Sequence, residues 1–137
     1  EGALSLPTKP DEAAELVKQA CPDALAISVG NVHLQTSANT VIDKVALAAI
    51  EEAVNCPLVL HGASGIKAAD RDWLASKSKV CKFNVGTELR QAFGTSLRNV
   101  LDSDAHLFDR NQILSAVKPA LIEQTKKVLK SIDPRKA

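Results

Sequence analysis

The sequence predicts an α/β fold built on parallel strands, and three observations carry that expectation. Short, nearly continuous apolar runs at 24–29, 58–60 and 80–85 alternate with segments of helical periodicity. Each run closes on small, hydroxyl or amide residues: Gly30-Asn31-Val32-His33, His61-Gly62-Ala63-Ser64-Gly65 and Asn84-Val85-Gly86-Thr87. The resulting rhythm, α, β, α, β, α, β, α, calls for right-handed crossovers between parallel strands, as in a doubly wound sheet or a (β/α)8 barrel. In both architectures ligands bind where the strands end, so the three closing segments belong on one face.

Taken in order, Thr8-Lys9-Pro10-Asp11 reads as a helix start with Thr8 as N-cap and Pro10 in the first turn, opening a helix near 9–20. Pro22-Asp23 ends it, and the run 24–29 follows as a buried strand. Val41, Ile42, Val45, Ala46, Ala49, Ile50 and Ala53 recur at helical spacing, with charged residues between them, which predicts an amphipathic helix. Cys56-Pro57 leads into the strand 58–60, residues 68–76 form a short helix around Trp73 and Leu74, and 80–85 is the third strand. Gly86-Thr87 turns into a helix over about 88–101. Asp109, with Gln112 three residues on, caps a last helix whose apolar face runs through Leu114, Val117, Leu121, Val128 and Ile132, with Pro119 kinking or restarting it.

Composition narrows the function. Seventeen basic and sixteen acidic residues are mixed along the 137-residue chain, leaving a formal charge of +1 and no basic stripe for nucleic acid, so a small molecule is the expected partner. No apolar run is long enough for a membrane span and the N-terminus lacks a signal pattern, so the expected location is cytoplasmic. Cys21, Cys56 and Cys81 have no CxxC spacing and are expected to be reduced and mostly buried. The absence of methionine suggests a piece of a longer chain.

His33 and His61 follow two successive strands. Neutral imidazole is the commonest zinc ligand, and a catalytic zinc takes three protein ligands and one open position, but a structural or general-base histidine fits the spacing equally well. His106, among Asp102, Asp104 and Asp109, reads as a solvated loop residue. The loops 61–65 and 84–87 present backbone N–H groups and the hydroxyls of Ser64 and Thr87 near helix starts, which suits a phosphate; those hydroxyls would serve helix capping just as well. Asn84 closes an apolar strand, where an amide without partners is costly, so it is expected to face a ligand.

The segments 23–33, 57–66 and 82–89, in this order and separation, resemble class II aldolases of the fructose- and tagatose-bisphosphate type. They span about half of the chain and look like the last three strands of that family's zinc-bearing (β/α)8 barrel. The resemblance implies that the chain is the C-terminal part of a single barrel domain over 1–137, with the N-terminal part absent. It further implies that His33 and His61 bind Zn2+, that Gly62 and Ser64 hold the ketose phosphate, and that Asn84 and Thr87 contact the dihydroxyacetone phosphate portion. In that chemistry zinc polarises the ketose carbonyl and Asn84, as a catalytic residue, orients the enediolate. The implied partner is a phosphorylated sugar.

Leu34 stands where the family usually has glycine, Ala63 replaces a frequent second glycine, and the Asp-His motif that carries the remaining zinc histidine and the acid/base aspartate is missing. A whole barrel needs about 250 residues, so this chain alone is expected to be inactive and to associate with itself or with an N-terminal half. Two other readings stay open: a non-catalytic phosphate-binding or interaction domain with the aldolase fold, and a small flavodoxin-like domain using His33 or His61 as a base.

Overall fold

The computed structural model describes residues 6–31 and 39–136. Helix α1 (Pro10–Ala20) leads to strand β1 (Leu25–Ile27), α2 (Lys44–Ala53), β2 (Leu58–Leu60), α3 (Ala68–Lys77), β3 (Val80–Phe83), α4 (Thr87–Ser103) and α5 (Arg110–Ser131), with short 3-10 turns at Ala63–Gly65 and Pro134–Lys136. The strands form one parallel sheet in the order β1-β2-β3. Leu25 pairs with Leu58 and Ile27 with Leu60; β3 continues the rows with Val80 beside Leu58 and Phe83 beside Leu60.

Strand alternation divides the sheet into two unlike faces. Leu25, Ile27, Leu58, Leu60 and Val80 join Ala13 of α1, Leu47 and Ile50 of α2 and Leu74 of α3 in a single core. The row on the opposite face is Ala26, Val59 and Lys82, of which Ala26 and Lys82 are exposed. Strands in sequence order with the helices on one face are a piece of barrel wall; a doubly wound sheet carries helices on both faces. A bulge places both Cys81 and Lys82 against the single step from Leu58 to Val59.

The helix starts differ from the expected ones in instructive ways. Lys9, not Thr8, is the N-cap of α1, with no side-chain cap bond. Thr8 is occupied elsewhere: its N–H donates to the Ser28 carbonyl at 2.8 Å, and its Oγ1 accepts from the Ser28 N–H at 2.9 Å. The chain therefore enters α1 already fastened to the end of β1. Helix α2 begins only at Lys44, capped by Asp43, whose Oδ1 accepts from the N–H groups of Val45 at 3.0 Å and Ala46 at 2.9 Å. This phases the helix so that Leu47, Ile50 and the following Val54 are buried, while Val41 and Val45 stand 80% and 82% exposed. The expected apolar face was thus rotated: it included Val41 and Val45 and omitted Leu47. Asp43→Ala should lower stability by about 1 kcal/mol, measured as the shift in the urea midpoint at unchanged slope, because two N–H groups of the first turn lose their acceptor.

The C-terminal end of α2 is held by Lys79, the residue just before β3. The Lys79 ammonium donates to the carbonyls of Glu51 and Val54, and the Lys79 N–H donates to Glu51 Oε1 at 2.6 Å. A cation there also opposes the negative end of the helix dipole. Asp109 caps α5 as expected, accepting from Gln112 N–H at 2.9 Å, and α5 runs unbroken through Pro119. Helices α4 and α5 pack on each other, and His106 between them is exposed.

Only Cys56 is buried among the three cysteines; Cys21 and Cys81 are exposed, contrary to expectation. Cys21 is the left-handed C-cap of α1, at φ 45°, and Cys81 sits at the bulge, so neither side chain reaches the core. No helix among the described residues is long and apolar enough to cross a membrane.

Candidate active site

Because the strands are parallel and in register, their C-terminal ends lie side by side. Leu60 and Phe83 are partners, so the residues that follow them, His61 and Asn84, emerge next to each other. The ladder continues one step past the strands: Asn84 N–H donates to the Leu60 carbonyl at 2.8 Å, and Ala63 N–H to the Asn84 carbonyl at 3.3 Å. The Asn84 backbone is thereby gripped on both sides of His61. Its amide nitrogen lies 3.2 Å from both ring nitrogens of His61. A position equidistant from the two nitrogens lies over the ring face rather than along an in-plane lone pair, so the amide packs on the imidazole.

Asn31 holds His61 from the other side. Its side chain is buried, its Oδ1 accepts from Val29 N–H at 2.7 Å, and its Nδ2 donates to the carbonyls of Ile27 at 3.2 Å and His61 at 3.0 Å. Just before it, Gly30 has φ 95°, and a Cβ there would come within 2.5 Å of the Val41 carbonyl oxygen. His33 and Leu34 lie outside the described residues.

The loop after His61 turns on Gly62, whose φ of 63° and ψ of 23° are left-handed. It brings Ser64 across to the next loop, where its Oγ accepts from the N–H groups of Gly86 and Glu88, both at 3.3 Å. Ser64 thus caps α4 rather than the helix that follows it, and its own O–H remains to donate. Thr87 is the first residue of α4, and the Arg90 guanidinium lies over Gly86, where a Cβ would come within 2.7 Å of it. These groups line one cleft of about 460 Å³, with His61 and Asn84 among its walls and Gly62, Ser64, Thr87 and Arg90 completing it. A guanidinium, a hydroxyl donor and a helix N-terminus facing one space suit an anion such as phosphate.

The first turn of α4 is fixed from behind. Glu88 pairs through Oε1 with the buried Arg71 of α3 at 2.7 Å and accepts through Oε2 from Gln124 of α5 at 2.9 Å. Three helices meet at one carboxylate.

The structure therefore brings Gly62, Ser64, Asn84, Thr87 and His61 into one cleft. No group of three metal-ligating side chains occurs among the described residues, where His61 is the histidine in the cleft. Sequence reasoning missed Arg90, Asn31 and Arg71. Arg90 had a usable signal, since it stands one helical turn past Gly86 and so on the loop's side of α4. Arg71, flanked by Asp70 and Asp72, looked like any solvated helical charge.

The family model for class II fructose-bisphosphate aldolase matches residues 1–135. The chain belongs to the class II fructose-bisphosphate aldolase family. Among solved structures, the chain is similar to the YdjI aldolase of Escherichia coli K12, with 28% identity and a TM-score of 0.69 over 93% of this chain and 45% of that one. A candidate fructose-1,6-bisphosphate aldolase of Coccidioides immitis matches at 26% identity and a TM-score of 0.71, covering 95% of this chain and 44% of that one. The fructose-bisphosphate aldolase of Campylobacter jejuni, at 19% identity, shares the fold with a TM-score of 0.75 over 94% of this chain and 45% of that one. The chain thus spans a little under half the length of those relatives, and its three strands correspond to a portion of their (β/α)8 barrel.

Proposed function

We propose that this chain carries the metal-binding and phosphate-binding side of a zinc-dependent class II aldolase, one that cleaves or forms a phosphorylated ketose with dihydroxyacetone phosphate as one product. The observation that supports it most is the contact of His61 with Asn84 in the same cleft as Ser64, Thr87 and Arg90. A reacting carbonyl and a phosphate can then be held a few ångströms apart on one strand-end surface.

The half-buried His61 imidazole, its carbonyl held by Asn31 and its ring by Asn84, has the donor chemistry zinc requires. His61 would be one ligand and His33 a second, with a third from an N-terminal part of the same barrel domain. Bound there, zinc supplies Lewis acidity for the ketose carbonyl. Asn84 supplies an N–H donor to an oxygen of the dihydroxyacetone portion. Gly62 lets the backbone of its loop approach the phosphate closely, and Ser64 and Thr87 donate hydroxyls to it. Arg90 adds a charge-assisted donor at the same end.

The N-terminal part would also cover the exposed Ala26 and Lys82 on the face opposite the core, either within one polypeptide or by association, and a homo-oligomer in the cytoplasm is the assembly this reading carries. The test uses the longest polypeptide that contains this chain, with metal analysis and a retro-aldol assay on ketose bisphosphates. About one zinc per subunit and cleavage are expected. His61→Ala should lose the zinc and lower the rate by more than about 100-fold, beyond the effect typical of second-shell changes. Zinc and cleavage that survive His61→Ala would overturn the reading. A zinc-free protein that binds phosphorylated sugars without cleaving them would establish the non-catalytic alternative instead.

A further inference from the structure

Where β1 leaves the sheet, a side chain takes over the work of the backbone. The ladder between β1 and β2 ends at the pair Ile27 and Leu60, and the first carbonyl beyond β2, that of His61, accepts from Asn31 Nδ2 at 3.0 Å. The same Nδ2 donates to the Ile27 carbonyl at 3.2 Å, and Oδ1 accepts from Val29 N–H at 2.7 Å. All three bonds are made by a residue only 5% exposed, so solvent does not compete for them. His61 is thus clamped from both neighbours, at its carbonyl by Asn31 of the β1 loop and at its ring by Asn84 at the end of β3. Gly30, at φ 95°, gives the chain the turn that sends Asn31 back towards β2.

The geometry points to Asn31 as a positioning residue that sets the orientation of His61 for metal binding. It rests on the reading of His61 as a ligand. Its amide does not touch the metal or the sugar; it fixes the peptide from which the imidazole projects. A ligand held at one end only by its ring contact with Asn84 samples more orientations, and metal affinity falls with them.

The test is the zinc dissociation constant of the longest polypeptide containing this chain, by competition with a chromophoric chelator. Asn31→Ala, Asn31→Ser, Asp43→Ala and His61→Ala are compared with the unaltered protein. Asn31→Ala removes all three bonds. Asn31→Ser keeps an oxygen near Val29 N–H but lacks the amide that reaches His61. Both should weaken zinc binding by about 10- to 100-fold. Asp43→Ala, a change at a helix cap without contact to His61, should leave it unaltered, which separates positioning from general loss of stability. Either folded Asn31 variant binding zinc as tightly as the unaltered protein overturns the inference, and so does failure of both to fold, which would make the role of Asn31 purely structural. The two readings fail differently: zinc retained by His61→Ala removes the ligand assignment, whereas zinc lost with His61→Ala but kept by the Asn31 variants removes only the positioning role.

Discussion

Arg71→Ala is expected to destabilise the folded chain by about 3 kcal/mol, because it strips a largely but not fully buried carboxylate of its cation. The side chains of Arg71 and Glu88 are 7% and 18% exposed and meet at 2.7 Å, so neither is well solvated. With Arg71 gone, Glu88 keeps Gln124 on Oε2 but faces a cavity with Oε1, and the first turn of α4 loses its anchor to α3. The pair itself contributes less than that figure suggests. Desolvating two ions offsets most of their attraction, and Arg71 Nε has no hydrogen-bond partner among the described residues, an additional cost. The double variant Arg71→Met with Glu88→Gln should therefore recover most of the loss. Urea unfolding of the two variants beside the unaltered chain checks both statements. Equal destabilisation of the single and double variants would show that packing, not the uncompensated charge, sets the effect.

Gly30→Ala should cost a similar amount, about 3 kcal/mol, from two causes that act together. A non-glycine residue at φ 95° is strained by about 1 to 3 kcal/mol. The added Cβ would also stand 2.5 Å from the Val41 carbonyl oxygen, a backbone atom that cannot swing aside as a side chain can. Relief requires moving 41–43, which would strain the bond from Asp43 N–H to the Val29 carbonyl, 2.9 Å long, and so the start of α2. A fall in the urea midpoint well beyond that of Asp43→Ala is the expected result. A fall no larger than that of Asp43→Ala would mean that the turn accommodates a side chain.

The parts of this fold that were legible from the residues share a cause. Leu58, Val59 and Leu60 are buried without exception, and their apolar run needs no phase to be recognised. Helix α2 was harder because its apolar residues outnumber those the core can take. Asp43 decides the phase by fixing where the first turn begins, and only then does Leu47 turn inwards and Val45 outwards. Thr8 was misjudged for a related reason: a hydroxyl near a helix start can also pair with a distant strand, and Ser28 is 20 residues away in sequence. In the site, Gly62, Ser64, Asn84 and Thr87 were visible because strand-end loops of small and polar residues stand out against apolar runs. Arg71 and Asn31 were not, since what marks them is burial and a partner on another element.

The contact between Asn84 and His61 carries one more consequence. A neutral imidazole has a single lone pair in its ring plane, whereas the Asn84 amide nitrogen, 3.2 Å from both ring nitrogens, lies over the ring face and outside that plane. A partner that approaches a ring nitrogen in the ring plane therefore does not compete with the amide for the same position. Stacking on one face and pairing in the plane are thus independent at His61, and a change in either leaves the other in place.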